Sequence, residues 1–126
     1  MINAKNIIKK ILREWGHDIL YQRRISDDFS YSEVLERITT RSQLAKSSRI
    51  SSTLEEETEG YFVNSDLVYY FESSVHPQSG DRIYEESFTN LDETIIYRID
   101  ATYGVRGRFG EINYWIVGAT KETPAG

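Results

Sequence analysis

Cysteine is absent from this 126-residue chain. Disulfides and thiolate-held metals are excluded outright, and nothing in the composition points to an oxidising compartment. Histidine is nearly absent too, leaving only His17 and His76 as side chains able to act as bases near neutral pH. With no cysteine nucleophile, no nucleophile elbow and no metal-binding signature, catalysis finds little support. No run approaches the roughly 20 apolar residues that a bilayer span requires. The N-terminus also lacks the compact apolar core of a signal peptide, so a soluble, intracellular chain without a membrane partner is expected. Cations are in deficit, with 15 lysines and arginines against 20 acids and a net charge of -5. General nucleic-acid binding rests on cations meeting phosphates, so this balance argues against it while leaving room for a local basic patch.

What the chain has in quantity is tyrosine, nine residues against two tryptophans. Tyrosine suits strands, and it also suits surfaces that bury an apolar body and keep a polar tip. A tyrosine-rich β core and a subunit interface are both open on this ground. The length fits one domain, large enough to bury an independent core.

The organising stretch runs from Asp66 to Tyr84 and reads as strand, turn and strand. Leu67, Tyr69 and Phe71 share one face of the first strand, with Val68 and Tyr70 on the other, so both faces should be covered. His76 before Pro77 predicts extended backbone, and Gly80 can take the positive φ of a reversal. Arg82 and Tyr84 then alternate with Ile83.

On the N-terminal side, Ile7, Ile8, Ile11, Leu12 and Trp15 follow the spacing of one helical face. Asn3 is the expected N-cap and Gly16 a left-handed C-cap. So short a helix must dock on its own barrel or on a neighbouring subunit. Strands are expected at 17–25, with Ile19, Tyr21, Arg23 and Ile25 on one face, and at 33–41. Residues 94–103 give a further strand, with Ile95, Tyr97, Ile99, Ala101 and Tyr103 on one face. Gly104 to Gly110 reads as a hairpin turn, because a phosphate cradle needs a helix after it and a strand follows here. Ile112 to Ala119 closes the sheet, with Tyr114 and Trp115 on opposite faces, and Thr120 to Gly126 is a polar tail.

Ser42 to Glu59 interrupts the pattern with five serines, Lys46 and Arg49, then Glu55, Glu56, Glu57 and Glu59. Its glutamates lack the spaced ligands and turn glycine of a calcium loop. A long, solvated, self-repelling limb is the expected form. Arg106 and Arg108 form the concentrated basic feature late in the chain, either as a solvated turn or as a contact with an acidic partner or nucleic acid.

Three features together carry a resemblance: Gly80-Asp-Arg-Ile-Tyr84 after an aromatic strand, the closing Tyr114-Trp-Ile-Val117, and the excursion between early and middle strands. Over Asp18 to Glu122 the layout resembles the head-closure, or stopper, proteins of tailed bacteriophages, small β-barrels of the head–tail connector. The resemblance implies a mainly β fold, a small antiparallel β-barrel over 17–126 with a long inserted loop at 42–59; the N-terminal α-helix over 1–16, read from its own apolar spacing, precedes it. It further implies a non-enzymatic virion protein of the neck, assembled in the host cytoplasm into a homo-oligomeric ring without a cofactor. Its partners would be further copies of itself, a portal or adaptor protein, tail-side proteins, and packaged DNA met by steric contact. Lys46, Arg49, Glu55, Glu56, Glu57 and Glu59 would belong to the channel loop, and Tyr114, Trp115, Arg106 and Arg108 to interfaces. A small nucleic-acid-binding barrel, or another joining protein such as an adaptor or tail-completion protein, is the alternative.

Overall fold

A computed structural model of the chain describes residues 4–25, 30–44, 65–86 and 94–122. One helix, α1 (Ala4–Trp15), precedes six strands: β1 (His17–Gln22), β2 (Glu36–Leu44), β3 (Leu67–Glu72), β4 (Arg82–Glu86), β5 (Thr94–Arg106) and β6 (Ile112–Lys121). All strand pairs are antiparallel, and the sheet closes into a barrel in the order β1-β2-β3-β6-β5-β4. Closure is made by Leu20, Tyr21 and Gln22 of β1 against Tyr84, Ile83 and Arg82 of β4. A closed barrel leaves no open edge to recruit stray strands.

The expected hairpin from Asp66 to Tyr84 is not one. β3 pairs with β2 and β6, whereas β4 pairs with β1 and β5, which puts the two on opposite sides of the ring. The connection from Ser73 to Asp81 exceeds a tight hairpin turn and is long enough to cross the barrel mouth. It begins with a 3₁₀ turn, Ser73–Val75, that ends at His76 in the left-handed region, φ 49 and ψ 59. The extended geometry expected of His76 is therefore wrong: Pro77 excludes the right-handed helix but not the left-handed cap that turns the chain here. Gly80 does take a positive φ, 96.

The barrel interior holds Ile19, Tyr21, Tyr69, Phe71, Val75, Ile83, Ile99, Val117 and Ala119. Phe71 meets the edge of Tyr21 at 5.7 Å between centroids and lies parallel to Tyr69 at 6.0 Å. Both faces of β3 are covered, because Val68 is as fully buried as Tyr69 and Phe71. Val68 joins Ile116 in a second cluster on the outer wall, with Tyr70, Ala101, Tyr103, Val105 and Tyr114 packed around them.

β5 does not keep one apolar face along its length. A bulge between Ile99 and Ala101 shifts the register against β6, so Ile99 opposes Ala119 while Ala101 opposes Gly118. An extra residue in one strand inverts the alternation beyond it. Tyr97 and Ile99 therefore face inward, while Ala101 and Tyr103 face the outer cluster. The bulge residue, Asp100, accepts hydrogen bonds from the hydroxyls of Ser65 and Thr120.

α1 docks on β2, β3 and β6 of its own barrel. Gly16 ends it without a positive φ, contrary to the left-handed cap expected. Its N–H donates to the Leu12 carbonyl at 2.8 Å, and a Cβ there would stand 2.4 Å from the carbonyl oxygens of Leu12 and Thr40. Close approach, rather than backbone handedness, requires the glycine. Several boundaries also move. β1 stops at Gln22, leaving Ile25 exposed, and β2 begins at Glu36, leaving Val34 and Leu35 outside it. β2 runs on to Leu44, so the first residues of the Ser42 excursion are paired strand. β5 includes Gly104 to Arg106 and β6 extends through Lys121, shortening both the expected turn and the expected tail. Asn3 lies outside the described residues.

Phe71 and Phe109 provide the sharpest contrast in this packing, since the first is fully buried and the second is 89% exposed. Phe71→Ala is expected to lower unfolding stability by about 3–5 kcal/mol. Phe109→Ala should stay within about 0.5 kcal/mol of the parent, as surface changes usually do. Urea titration of both variants checks the pair.

Candidate functional site

Two carboxylates, one buried and one half-buried, sit at opposite ends of β4. At its start, Asp81 is 2% exposed. It accepts from the Tyr21 hydroxyl at 2.5 Å, the Arg24 N–H at 2.8 Å and the Gln78 N–H at 3.1 Å. Burial first, and then this hydrogen bond, push the Tyr21 phenol far above its ordinary range. The backbone on either side of Asp81 is held as well, with Gly80 N–H donating to the Ile99 carbonyl and Ile99 N–H to the Asp81 carbonyl. At the other end, Glu85 accepts from the buried Tyr69 hydroxyl and from the His17 ring.

These two centres are complete as they stand. The Tyr69 hydroxyl is spent on Glu85 inside the barrel wall, and Asp81 is filled by three donors. Their chemistry is to fix the start of β1, the ends of β4 and the inner face of β3. Neither presents a free nucleophile.

The exposed features are of another kind. β5 and β6 remain paired out to Arg106 and Ile112, beyond the last β3–β6 pair, Glu72 with Tyr114. At the tip, Gly107 N–H donates to the Glu111 carbonyl at 2.7 Å, and Gly110 takes a φ of 83. Arg106 folds back so that Nη1 donates to the Gly110 carbonyl at 2.8 Å. Phe109 stands out with Arg108 beside its ring, the guanidinium 6.0 Å from the centroid. On α1, Ile7, Ile11 and Trp15 form a second exposed apolar strip, Trp15 being 72% exposed. Leu12 is buried beneath the helix instead.

The residues expected at interfaces separate accordingly. Tyr114 and Trp115 do occupy opposite faces, yet both are half-buried within their own subunit. Tyr114 borders a cavity of about 170 Å³ under α1, together with Ile8, Ile11, Leu12, Arg41 and Tyr70. Trp115 packs against the interior cluster and donates its indole N–H to the Ser73 carbonyl at 3.2 Å. Arg106 and Arg108 are on the exposed tip as expected. Lys46, Arg49, Glu55, Glu56, Glu57 and Glu59 lie outside the described residues. Sequence reasoning passed over Phe109. It placed Ile7, Ile11 and Trp15 on one face with Ile8 and Leu12, to dock on the barrel or on a neighbouring subunit, without separating the exposed strip from the docked residues. The signal for the strip was available, because five apolar positions on one short helix cover a wider arc than a single docking face needs.

Comparison with protein-family models, with curated proteins and with solved structures finds no match for this chain.

The His17–Glu85 pair predicts a pH dependence of stability. The hydrogen bond to Glu85 raises the His17 pKa above 6.5 against the opposing effect of burial. Burial alone would raise Glu85, but the His17 and Tyr69 hydrogen bonds bring it net below 4.5. A raised histidine contributes fully below 6.5 and loses its contribution as pH climbs through its folded value. A lowered carboxylate contributes above 4.5 and loses its contribution as pH falls through its folded value. Both contributions coexist between those limits. Urea midpoints should therefore be highest near pH 5–6 and decline toward pH 9, by no more than about 1 kcal/mol given the partial exposure of His17. His17→Gln should flatten that decline.

Proposed function

We propose that this protein is a structural component of a tailed-phage neck, a ring-forming head-closure protein that joins portal-side to tail-side proteins and helps retain packaged DNA. The observation that carries the assembly part of this reading is the pairing of two separate exposed apolar elements. Phe109 stands at the hairpin tip, and Ile7, Ile11 and Trp15 lie along α1. A ring built by head-to-tail contacts needs two different patches per subunit, whereas a two-fold dimer needs one self-complementary patch. The resemblance of the Gly80 to Tyr84 and Tyr114 to Val117 segments supplies the phage context. An adaptor or tail-completion role would use the same surfaces.

A second reading, a nucleic-acid-binding barrel acting as a monomer, is favoured by one feature. The tip offers an exposed ring beside Arg108, with Arg106 on the same turn, the elements with which single strands are gripped.

Native mass spectrometry over a concentration series separates the two. Self-association into a closed oligomer is expected, weakened by Phe109→Glu and by Ile11→Glu, each with the parent's far-ultraviolet dichroism. Exchanging Arg106 and Arg108 for glutamate should leave the fold intact and weaken pull-down of an acidic neck partner. A monomer at every concentration, with oligonucleotide binding that falls steeply with salt, would decide for the second reading.

A further inference from the structure

We infer that the groove between α1 and the barrel is a docking site for an acidic peptide that carries an apolar anchor. The groove holds about 700 Å³ and is lined by α1, by β2 and by the chain around the 3₁₀ turn after β3. One wall presents Lys9 and Arg13, the other Arg23 and Arg37, and Leu12, Ile38 and Val75 lie between them.

The state of each cation matters. Neither Lys9 nor Arg13 has an ion-pair partner among the described residues, and Arg37 reaches only Asp18, at 3.8 Å with both side chains largely exposed. Arg23 is committed, its Nε donating to Glu36 at 2.9 Å and its terminal nitrogens to the Val75 and His76 carbonyls. It acts as a fixed positive post rather than a mobile ligand. Of the two acids in the lining, Glu36 is matched by Arg23, and Glu72 accepts from the Ser74 hydroxyl at 2.6 Å. Three cations therefore remain to meet incoming charge, from both sides of an aliphatic floor.

That arrangement selects among polyanions. Single-stranded nucleic acid needs aromatic faces on which bases stack, and no aromatic side chain lines this groove. A peptide with carboxylates flanking an aliphatic or aromatic anchor satisfies the walls and the floor together. The site is also distinct from the assembly patches. At 100° per residue, Lys5, Lys9 and Arg13 fall on one flank of the Ile8–Leu12 docking face, and Ile7, Ile11 and Trp15 on the other. The inference goes beyond the head-closure reading and does not depend on it.

Fluorescence anisotropy with a labelled peptide of alternating glutamate and leucine provides the test, beside its glutamine counterpart and a labelled oligothymidylate. The full chain should bind the glutamate peptide, at least tenfold more tightly than the glutamine one, and lose affinity as salt rises. Lys9→Glu with Arg13→Glu should weaken binding at least tenfold while leaving the melting temperature unchanged. Exchange of Arg106 and Arg108 for glutamate should leave it as it was. Equal binding by the Lys9/Arg13 variant, an equal loss in the Arg106/Arg108 variant, or no binding at millimolar peptide would each overturn the inference. So would tighter binding of oligothymidylate in a manner sensitive to Lys9 and Arg13, which would assign the groove to nucleic acid.

Discussion

The narrow bore of a six-stranded barrel governs the rest of this molecule. Tyr21, Tyr69 and Phe71 fill much of the interior between them, with ring contacts near 6 Å. Little room is left inside for the other apolar side chains of β3, β5 and β6. They go to the outer wall as the Val68 and Ile116 cluster, which must in turn be covered. α1 is one cover, and a short helix of this length has little stability without such a partner. The helix presents more apolar arc than that wall can absorb, so Ile7, Ile11 and Trp15 are carried to the surface as a consequence.

The choice of tyrosine for the interior has a second consequence. A buried hydroxyl without a partner is costly, so each interior phenol needs an acceptor at the barrel wall. Tyr21 finds Asp81 at one end of β4 and Tyr69 finds Glu85 at the other. Each carboxylate would be expensive to bury alone, and each is stabilised by further donors: the Arg24 and Gln78 amides for Asp81, the His17 ring for Glu85. The aromatic packing and the polar network are thus one arrangement, pinning the shortest strand of the barrel at both ends. Gly80 and Asp81 owe their place in the fold to this pinning.

How much of this was legible in the sequence follows from how local each cause is. Period-two alternation located the six strands closely enough to give a mainly β fold, and it correctly marked both faces of β3 as covered. It did not reveal that β3 and β4 lie across the barrel from one another, because strand partners are chosen by the whole sheet and not by the intervening turn. Nor could it reveal the bulge at Asp100, whose effect is to turn Ala101 and Tyr103 away from the face of Ile99. The alternation in Ile95 to Tyr103 is perfect on paper, and only the register against β6 shows that one residue is extra. Gly16 was correctly singled out for the wrong reason, since the neighbour that excludes a side chain, Thr40, is distant in sequence. Among the site residues, Arg106 and Arg108 were placed by their glycine frame, a local signal. Tyr114 and Trp115 were placed on opposite faces, but their half-burial in their own subunit depended on α1 and on the 3₁₀ turn after β3.

Charge shows the same difference between a whole-chain quantity and a local one. The net value of -5 belongs to the entire sequence, and its acidic excess falls within 26–29, 45–64 and 87–93, which hold eight acids against two cations. The described residues are close to balance, and they set Lys9, Arg13 and Arg37 around one groove and Arg106 and Arg108 on one tip. At physiological ionic strength a charge is felt over a Debye length of roughly 8 Å. A partner that has reached the groove therefore meets Lys9, Arg13 and Arg37 directly, and charges beyond that length hardly at all. Over longer distances and at lower salt the acidic excess counts for more, slowing the approach of polyanions without setting how firmly they are held. Net charge thus argues against indiscriminate nucleic-acid binding by the chain as a whole, and leaves recognition of acidic partners to the few places where cations converge.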